Sequence, residues 1–410
     1  MISSYIKSHY KQSILTLMFV GFLVDYLDRM VMSVAVIPIK EEFNLNATEI
    51  GFILSSFFFS YAIMQIPGGW LSDKLGSRKI ILGSVVIWSL FTVFTGLAWS
   101  LLSLILIRIL FGIGQGGYPS ATQKGIADFF DFKERPKASA ILMSSNYFGM
   151  ALAPLLAAPL VVLLGWRNMF IVLGLLGIVM FYVYWRFYRL PHRPSKQSIA
   201  TLHKVPLKDW VLNAEVWKIT IMWFAAGIVN WGLASWLPSY LSEARGMNLL
   251  SSGFYAALPG ITTGIMMLFN GWILEKFFID REKYFAAVGM VLSAISLYLM
   301  FTSTSIVAAI VYMNLCMVFK SFAFTVAFSL PHKLMSKRII GSAMGVINMG
   351  AQAAGFLSPI VMGVLITNFS YNAAFWFLIG SCLISVVAAI AIKKPSTVEA
   401  TIQKDESPVY

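Results

Sequence analysis

Apolar runs of twenty or so residues recur along this chain from near its start to near its end. That recurrence restricts its possible folds more than any other feature, because a membrane-crossing helix needs roughly 20 apolar residues. Twelve such segments can be marked, with edges at about 13–37, 49–70, 79–98, 100–126, 138–163, 167–188, 216–242, 251–274, 284–302, 304–330, 339–366 and 371–392. The chain has 410 residues, 58% of them hydrophobic and only 12% charged, more apolar surface than a water-soluble core can absorb. An all-α, multi-pass membrane protein is expected.

Charge sets the expected topology. Alternate connections carry the basic residues, among them Lys7, Lys11, Lys74, Arg78, Lys79, Arg135, Lys137, Lys276, Lys283, Lys333 and Lys393. The other connections hold only Lys40, Arg167 and Arg245. By the positive-inside rule both termini lie in the cytoplasm, and the net charge of +13 is an orientation signal rather than a nucleic-acid patch. The first apolar run lacks a small-residue cleavage site and reads as a retained helix. Cys316 and Cys382 fall in separate apolar segments and suggest neither a disulfide framework nor a metal cluster.

The second half echoes the first. Gly69-Trp70-Leu71-Ser72-Asp73-Lys74-Leu75 closes segment two, and Gly271-Trp272-Ile273-Leu274-Glu275-Lys276-Phe277 closes segment eight. Ala153-Pro154 parallels Ser358-Pro359, and Trp166 to Phe170 parallels Tyr371 to Phe375. Three matches in one order point to two pseudo-symmetric six-helix halves, 1–190 and 214–394. They are joined by a cytoplasmic linker, 191–213, and followed by a disordered tail, 395–410. In the loop after segment two, Asp73, Lys74 and Arg78 are candidate gate residues. Asp73 can cap the next helix or pair with a base, and the basic residues also suit a plain orientation anchor.

Several ionisable residues lie inside apolar segments: Asp25, Asp28 and Arg29 in the first, Arg108 in the fourth and Lys320 in the tenth. Each costs a few kcal/mol at the bilayer centre, so such groups usually face a wet cavity and handle a solute or a proton. Arg29 is the leading candidate anion ligand, since a guanidinium matches a carboxylate with two parallel donors. Its alternative role is to bond backbone carbonyls. Lys320 lies too deep to snorkel, and either adds a second positive charge for a diacid or closes a gate.

Some of these residues belong to longer runs. Gly69 to Lys79 resembles the loop 2–3 signature of the major facilitator superfamily. Tyr26-Leu27-Asp28-Arg29, Ser56 to Trp70, Arg108 to Gly112 and Trp236 to Leu241 are similar to its anion:cation symporter family, and to the bacterial branch in particular. That resemblance implies alternating access around a site near the membrane midplane. It also implies four coupled groups: an Asp-Arg pair on helix one, an Arg on helix four and a Glu seven residues later. Asp28, Arg29 and Arg108 match, but the fourth position is Gln115. A glutamine cannot titrate, although it donates and accepts hydrogen bonds. Arg29 is therefore expected to lack a carboxylate partner, and proton coupling falls to Asp28 or Asp25. Asp28 and Arg108 could alternatively form a permanent structural pair.

The resemblance also places Tyr26, Tyr61, Gln115, Asn146, Thr325 and Asn348 as polar substrate ligands. Polar residues equally knit membrane helices together. No nucleophile–base constellation, metal-ligand spacing or cofactor loop appears. Gly112-Ile113-Gly114-Gln115-Gly116 follows no strand and fails as a dinucleotide signature. The expected protein is a monomer in the cell inner membrane that imports an organic anion, a sugar acid or other carboxylate, with protons. Its expected partners are the small anion, protons and lipid. A proton-independent uniporter, exchanger or exporter, or a membrane anion sensor, remains open.

Overall fold

The computed structural model describes residues 2–131, 134–189, 213–335 and 340–393. The expected linker, apart from Asn213, and the expected tail lie outside the described residues. Helices account for nearly all of the rest: α1 (Ile2–Met30), α2 (Met32–Glu42), α3 (Ala47–Leu75), α4 (Ser77–Gly96), α5 (Leu101–Gly116), α6 (Tyr118–Phe129) and α7 (Arg135–Phe187) come first. Then follow α8 (Ala214–Ser239), a π-helical turn (Tyr240–Ala244), α9 (Leu249–Phe277), α10 (Glu282–Thr302), α11 (Ile306–Ser329), α12 (Pro331–Leu334), α13 (Ile340–Asn368) and α14 (Tyr371–Ala391).

Among the described residues, 10 helices are long and apolar enough to cross a membrane. One of these, the span from Lys137 to Phe187, is two helices joined at Gly165, whose φ of 77° and ψ of 157° break the helical path. A residue without Cβ enters that conformation freely. Segments five and six thus run as one element with a sharp corner. The first segment divides at Val31 into α1 and α2, and the fourth divides at Gly117 into α5 and α6. An arrangement of twelve spans is consistent with these elements.

Helix ends follow local chemistry. Asn46 and Glu49 form a reciprocal capping box at the start of α3, and Ser100 and Ser103 form one at α5. The repeat noted in the sequence has a structural counterpart. Lys74 Nζ lies 4.9 Å from the Trp70 ring centroid at the end of α3, and Lys276 Nζ lies 4.8 Å from that of Trp272 at the end of α9.

Contacts group the chain into two compact units: Met1–Pro194 with Ala234–Ile261, and Ser195–Leu233 with Thr262–Tyr410. In the first unit α1 and α4 pack on α7, and α3 packs on α5. The last two approach closely at Gly112, where a Cβ would fall 2.2 Å from Ser60 Oγ and 2.6 Å from the Phe57 carbonyl oxygen. The stretch 234–261 joins this unit through small residues and one ion pair. A Cβ at Gly253 would lie 2.5 Å from Ala158 Cβ, and Lys40 Nζ is 2.8 Å from Glu243 Oε1. In the second unit α10 packs on α11 and α14, and α13 packs on α14.

Candidate functional site

The charged residues of the first unit converge because of helical spacing. Asp25, Asp28 and Arg29 stand at i, i+3 and i+4 on α1, and so share a face. Arg108, Gly112 and Gln115 stand at i, i+4 and i+7 on α5, which likewise puts them on one face. Gly112 brings that face against α3, near Phe57 and Tyr61.

Arg29 is 3% exposed. Its Nη2 donates to Asp25 Oδ2 at 3.2 Å and to Gln115 Oε1 at 3.4 Å, while its Nε has no partner. The guanidinium carbon sits 4.5, 4.8 and 4.4 Å from the ring centroids of Tyr26, Phe57 and Tyr61. Aromatic faces stabilise a cation and fix the plane of its donors. The expectation that Arg29 would lack a carboxylate is corrected here: Asp25, one turn earlier on the same helix, supplies one. Gln115, fully buried, completes the arrangement, since its Nε2 donates to the Asp25 backbone carbonyl at 3.1 Å. A neutral amide can both accept from the guanidinium and hold the α1 backbone.

Asp28 is separate. Thr92 Oγ1 on α4 lies 2.5 Å from Asp28 Oδ2 and 2.9 Å from the Trp88 carbonyl oxygen, and Asp28 Oδ1 has no partner. A hydroxyl carries one proton, and an ionised carboxylate is the stronger acceptor. Among the described residues no ion pair joins Asp28 to Arg108. The Arg108 guanidinium instead packs 4.7 Å from the Phe111 ring centroid and 5.3 Å from that of Phe57, with Nε unpartnered. The permanent structural pair is not what this conformation contains.

The other expected ligands are dispersed. The half-buried Asn146 on α7 has an unpartnered Oδ1. Asn348 is exposed on α13, and Thr325 Oγ1 donates to the Ser321 carbonyl at 3.2 Å. Lys320, 4% exposed, donates to Asn230 Oδ1 at 2.5 Å. Of the loop residues, Asp73 pairs with Lys124 of α6 at 3.2 Å rather than capping α4. Arg78 Nη2 donates to the Trp185 carbonyl at 2.9 Å.

Thr92, Phe57 and Asn230 were absent from the sequence-based expectations. A threonine or asparagine in an apolar segment most often bonds its own helix, as Thr95 does with the Phe91 carbonyl, and nothing local marks these as different. Phe57 is one phenylalanine among 32, and its contact with both arginines comes from tertiary packing.

A helical membrane protein with two carboxylates and two guanidiniums buried together inside one unit is built for handling charge rather than for bond chemistry. The family model described as Major Facilitator Superfamily matches residues 17–358 and 277–408, and the chain belongs to that superfamily of membrane transporters. The chain is 31% identical to the probable sulfoacetate transporter SauU of Cupriavidus necator over 96% of both chains. It is 28% identical to the probable galactarate/D-glucarate transporter GarP of Escherichia coli, over 94% of this chain and 95% of that one. Among solved structures it is similar to a bacterial homolog of the human lysosomal transporter Spinster in an inward-facing, occupied conformation. There the TM-score is 0.82 with 20% identity, over 98% of this chain and 99% of the other.

Proposed function

We propose that this transporter is a secondary carrier that imports an organic anion, a sugar acid or other carboxylate, across the cell inner membrane together with protons. Both termini are cytoplasmic in this reading, and the halves 1–190 and 214–394 alternate access. The observation that carries it is Arg29: a buried guanidinium clamped among three aromatic rings, with Nε still lacking a partner. Relatives named for sulfoacetate and for galactarate and glucarate, all acids, support the substrate class. Tyr26, Tyr61 and Asn146 then supply directional bonds to a hydroxylated solute without a further buried charge.

Asp28 is the proposed proton carrier. One of its oxygens is unpartnered and the other meets only a neutral hydroxyl in this conformation, so gaining a proton breaks no ion pair. Asp25 is engaged by Arg29 and becomes available only when a solute carboxylate takes its place on the guanidinium. Uptake of labelled acid into proteoliposomes, with and without an imposed pH gradient, tests the reading. Uphill accumulation that follows the gradient is expected. Accumulation indifferent to it would leave the second reading, a proton-independent uniporter or exchanger, which the neutral Gln115 favours.

A further inference from the structure

Three arginines of the first unit meet at one end of its membrane spans. The first turn of α4 and the chain at the end of α7 enclose a cavity of about 490 Å³, lined among the described residues by Arg78, Trp185, Arg186 and Arg189. That size falls among small-ligand pockets, roughly 300–1,000 Å³. Arg78 is half-buried. Its Nη2 donates to the Trp185 carbonyl at 2.9 Å, and its Nε is buried without a partner. Arg186 and Arg189 are exposed. Among the described residues none of the three forms an ion pair. Asp128 accepts from Ser77 Oγ at 2.6 Å, one residue before Arg78, rather than from the guanidinium.

A base in the last turn of a helix is expected from the helix dipole alone, and Arg186 meets that need for α7. The dipole does not account for Arg78, which stands in the first turn of α4, where a cation is unfavourable. Nor does it require three guanidiniums around one hollow. The chain beyond α7 is fastened to α1: Tyr10 Oη donates to the Arg189 carbonyl at 2.9 Å and accepts from the Arg189 amide at 3.2 Å. Arg189 is thereby kept at the rim. Beside the cavity Tyr182, Trp185 and Phe187 are all exposed. Aromatic side chains exposed at the end of a membrane span sit at the level of the lipid headgroups. The cavity therefore lies at the depth of the lipid phosphates.

We propose that this cavity binds the headgroup phosphate of an anionic phospholipid, held by Arg78, Arg186 and Arg189 beside Trp185. A guanidinium offers paired donors that fit phosphate oxygens, and basic pockets between membrane helices take acidic headgroups. A zwitterionic lipid brings an ammonium into the same hollow and gains less. A soluble phosphate ester carries the same acidic group but has no acyl chain to lie against the exposed rings. The site uses none of the residues assigned to solute or proton binding, so it stands whichever solute the carrier moves.

Native mass spectrometry of the full-length protein, released from micelles doped with equal amounts of phosphatidylglycerol and phosphatidylcholine, tests this. The unmodified protein should retain phosphatidylglycerol in preference. Arg186→Gln/Arg189→Gln alters two exposed side chains, leaves Arg78 in place, and should lower that preference by roughly tenfold or more. Lys79→Gln/Lys137→Gln removes the same charge from exposed bases that do not line the cavity, and should change the preference by about threefold at most. Equal retention of the two lipids by the unmodified protein overturns the proposal. So does a preference that survives the arginine variant, or one that falls as far in the lysine variant. Glycerol phosphate at the concentration of the lipid should displace none of it. Full displacement would assign the cavity to a soluble phosphate and overturn the lipid reading.

Discussion

The two units bury charge in opposite ways. In the first, Asp25 and Arg29 pair on α1 against Tyr26, Tyr61 and Gln115, Arg108 on α5 shares Phe57 with Arg29, and Asp28 meets Thr92 on α4. In the second, Lys320 donates to Asn230 and, among the described residues, has no ion pair. A clustered, balanced set can rearrange its partners at little cost, because each charge that loses one partner finds another. A single charge cannot, and its energy depends on what arrives from outside. The matching Lys–Trp contacts at the ends of α3 and α9 show that the halves keep their repeat at the helix ends. They diverge in the interior, where the chemistry is.

The largest effect that would break this contrast comes from Arg29. Arg29→Gln should weaken anion binding by about a hundredfold or more, and it should also lower expression, because Asp25 is left as an uncompensated buried carboxylate. The charge-neutral double variant Asp25→Asn/Arg29→Gln should recover expression but not affinity. Thermal-shift titration of both variants with glucarate reads the two effects separately. Recovery of affinity in the double variant would remove Arg29 from the site.

Next comes coupling. One pH unit is worth 1.36 kcal/mol, so each coupled proton drives at most about tenfold accumulation per unit of gradient. Asp28→Asn should abolish that gradient-driven accumulation while counterflow exchange of preloaded solute persists. Persistent accumulation in the variant would move the proton role to Asp25. Gln115→Glu should act more weakly: a carboxylate 3.4 Å or so from Arg29 competes with the solute and should reduce affinity several-fold, most above the pH at which it ionises. An affinity equal to that of the unmodified protein at every pH would place Gln115 outside the exchange of partners.

The smallest effect concerns a structural tie of the first unit, far from the buried cluster. Glu42 at the end of α2 accepts from Arg167 Nη2 at 2.6 Å and from Trp166 Nε1 at 2.6 Å. Partial burial pushes this carboxyl up, yet the Arg167 and Trp166 hydrogen bonds outweigh it and the group ends below its ordinary range. A depressed folded-state value means that the stabilisation is present above the unfolded pKa and is lost as pH falls through the folded one. With the site partly exposed and screened, Glu42→Gln should lower the melting temperature by only about 2 °C at pH 7, and the difference should vanish in acid. A difference that persists below pH 3 would mean that the tie is not ionic.

Hydropathy alone determined the helical membrane fold, because apolar runs of bilayer length have few other stable outcomes. It located most spans to within a few residues, as with 304–330 against Ile306–Ser329, although the first, expected at 13–37, lies in a helix that already covers Ile2 and breaks at Val31. Helical spacing also placed Asp25, Asp28 and Arg29 on one face of α1. Tertiary structure decided who partners whom. That Asp25 compensates for the missing acid at position 115, that Thr92 rather than Arg108 meets Asp28, and that Asn230 faces Lys320 all depend on how helices are rotated against each other. Periodicity along one helix carries no information about that rotation. It is settled by close approaches such as Gly112 against Ser60, where the absence of a single side chain sets which faces meet.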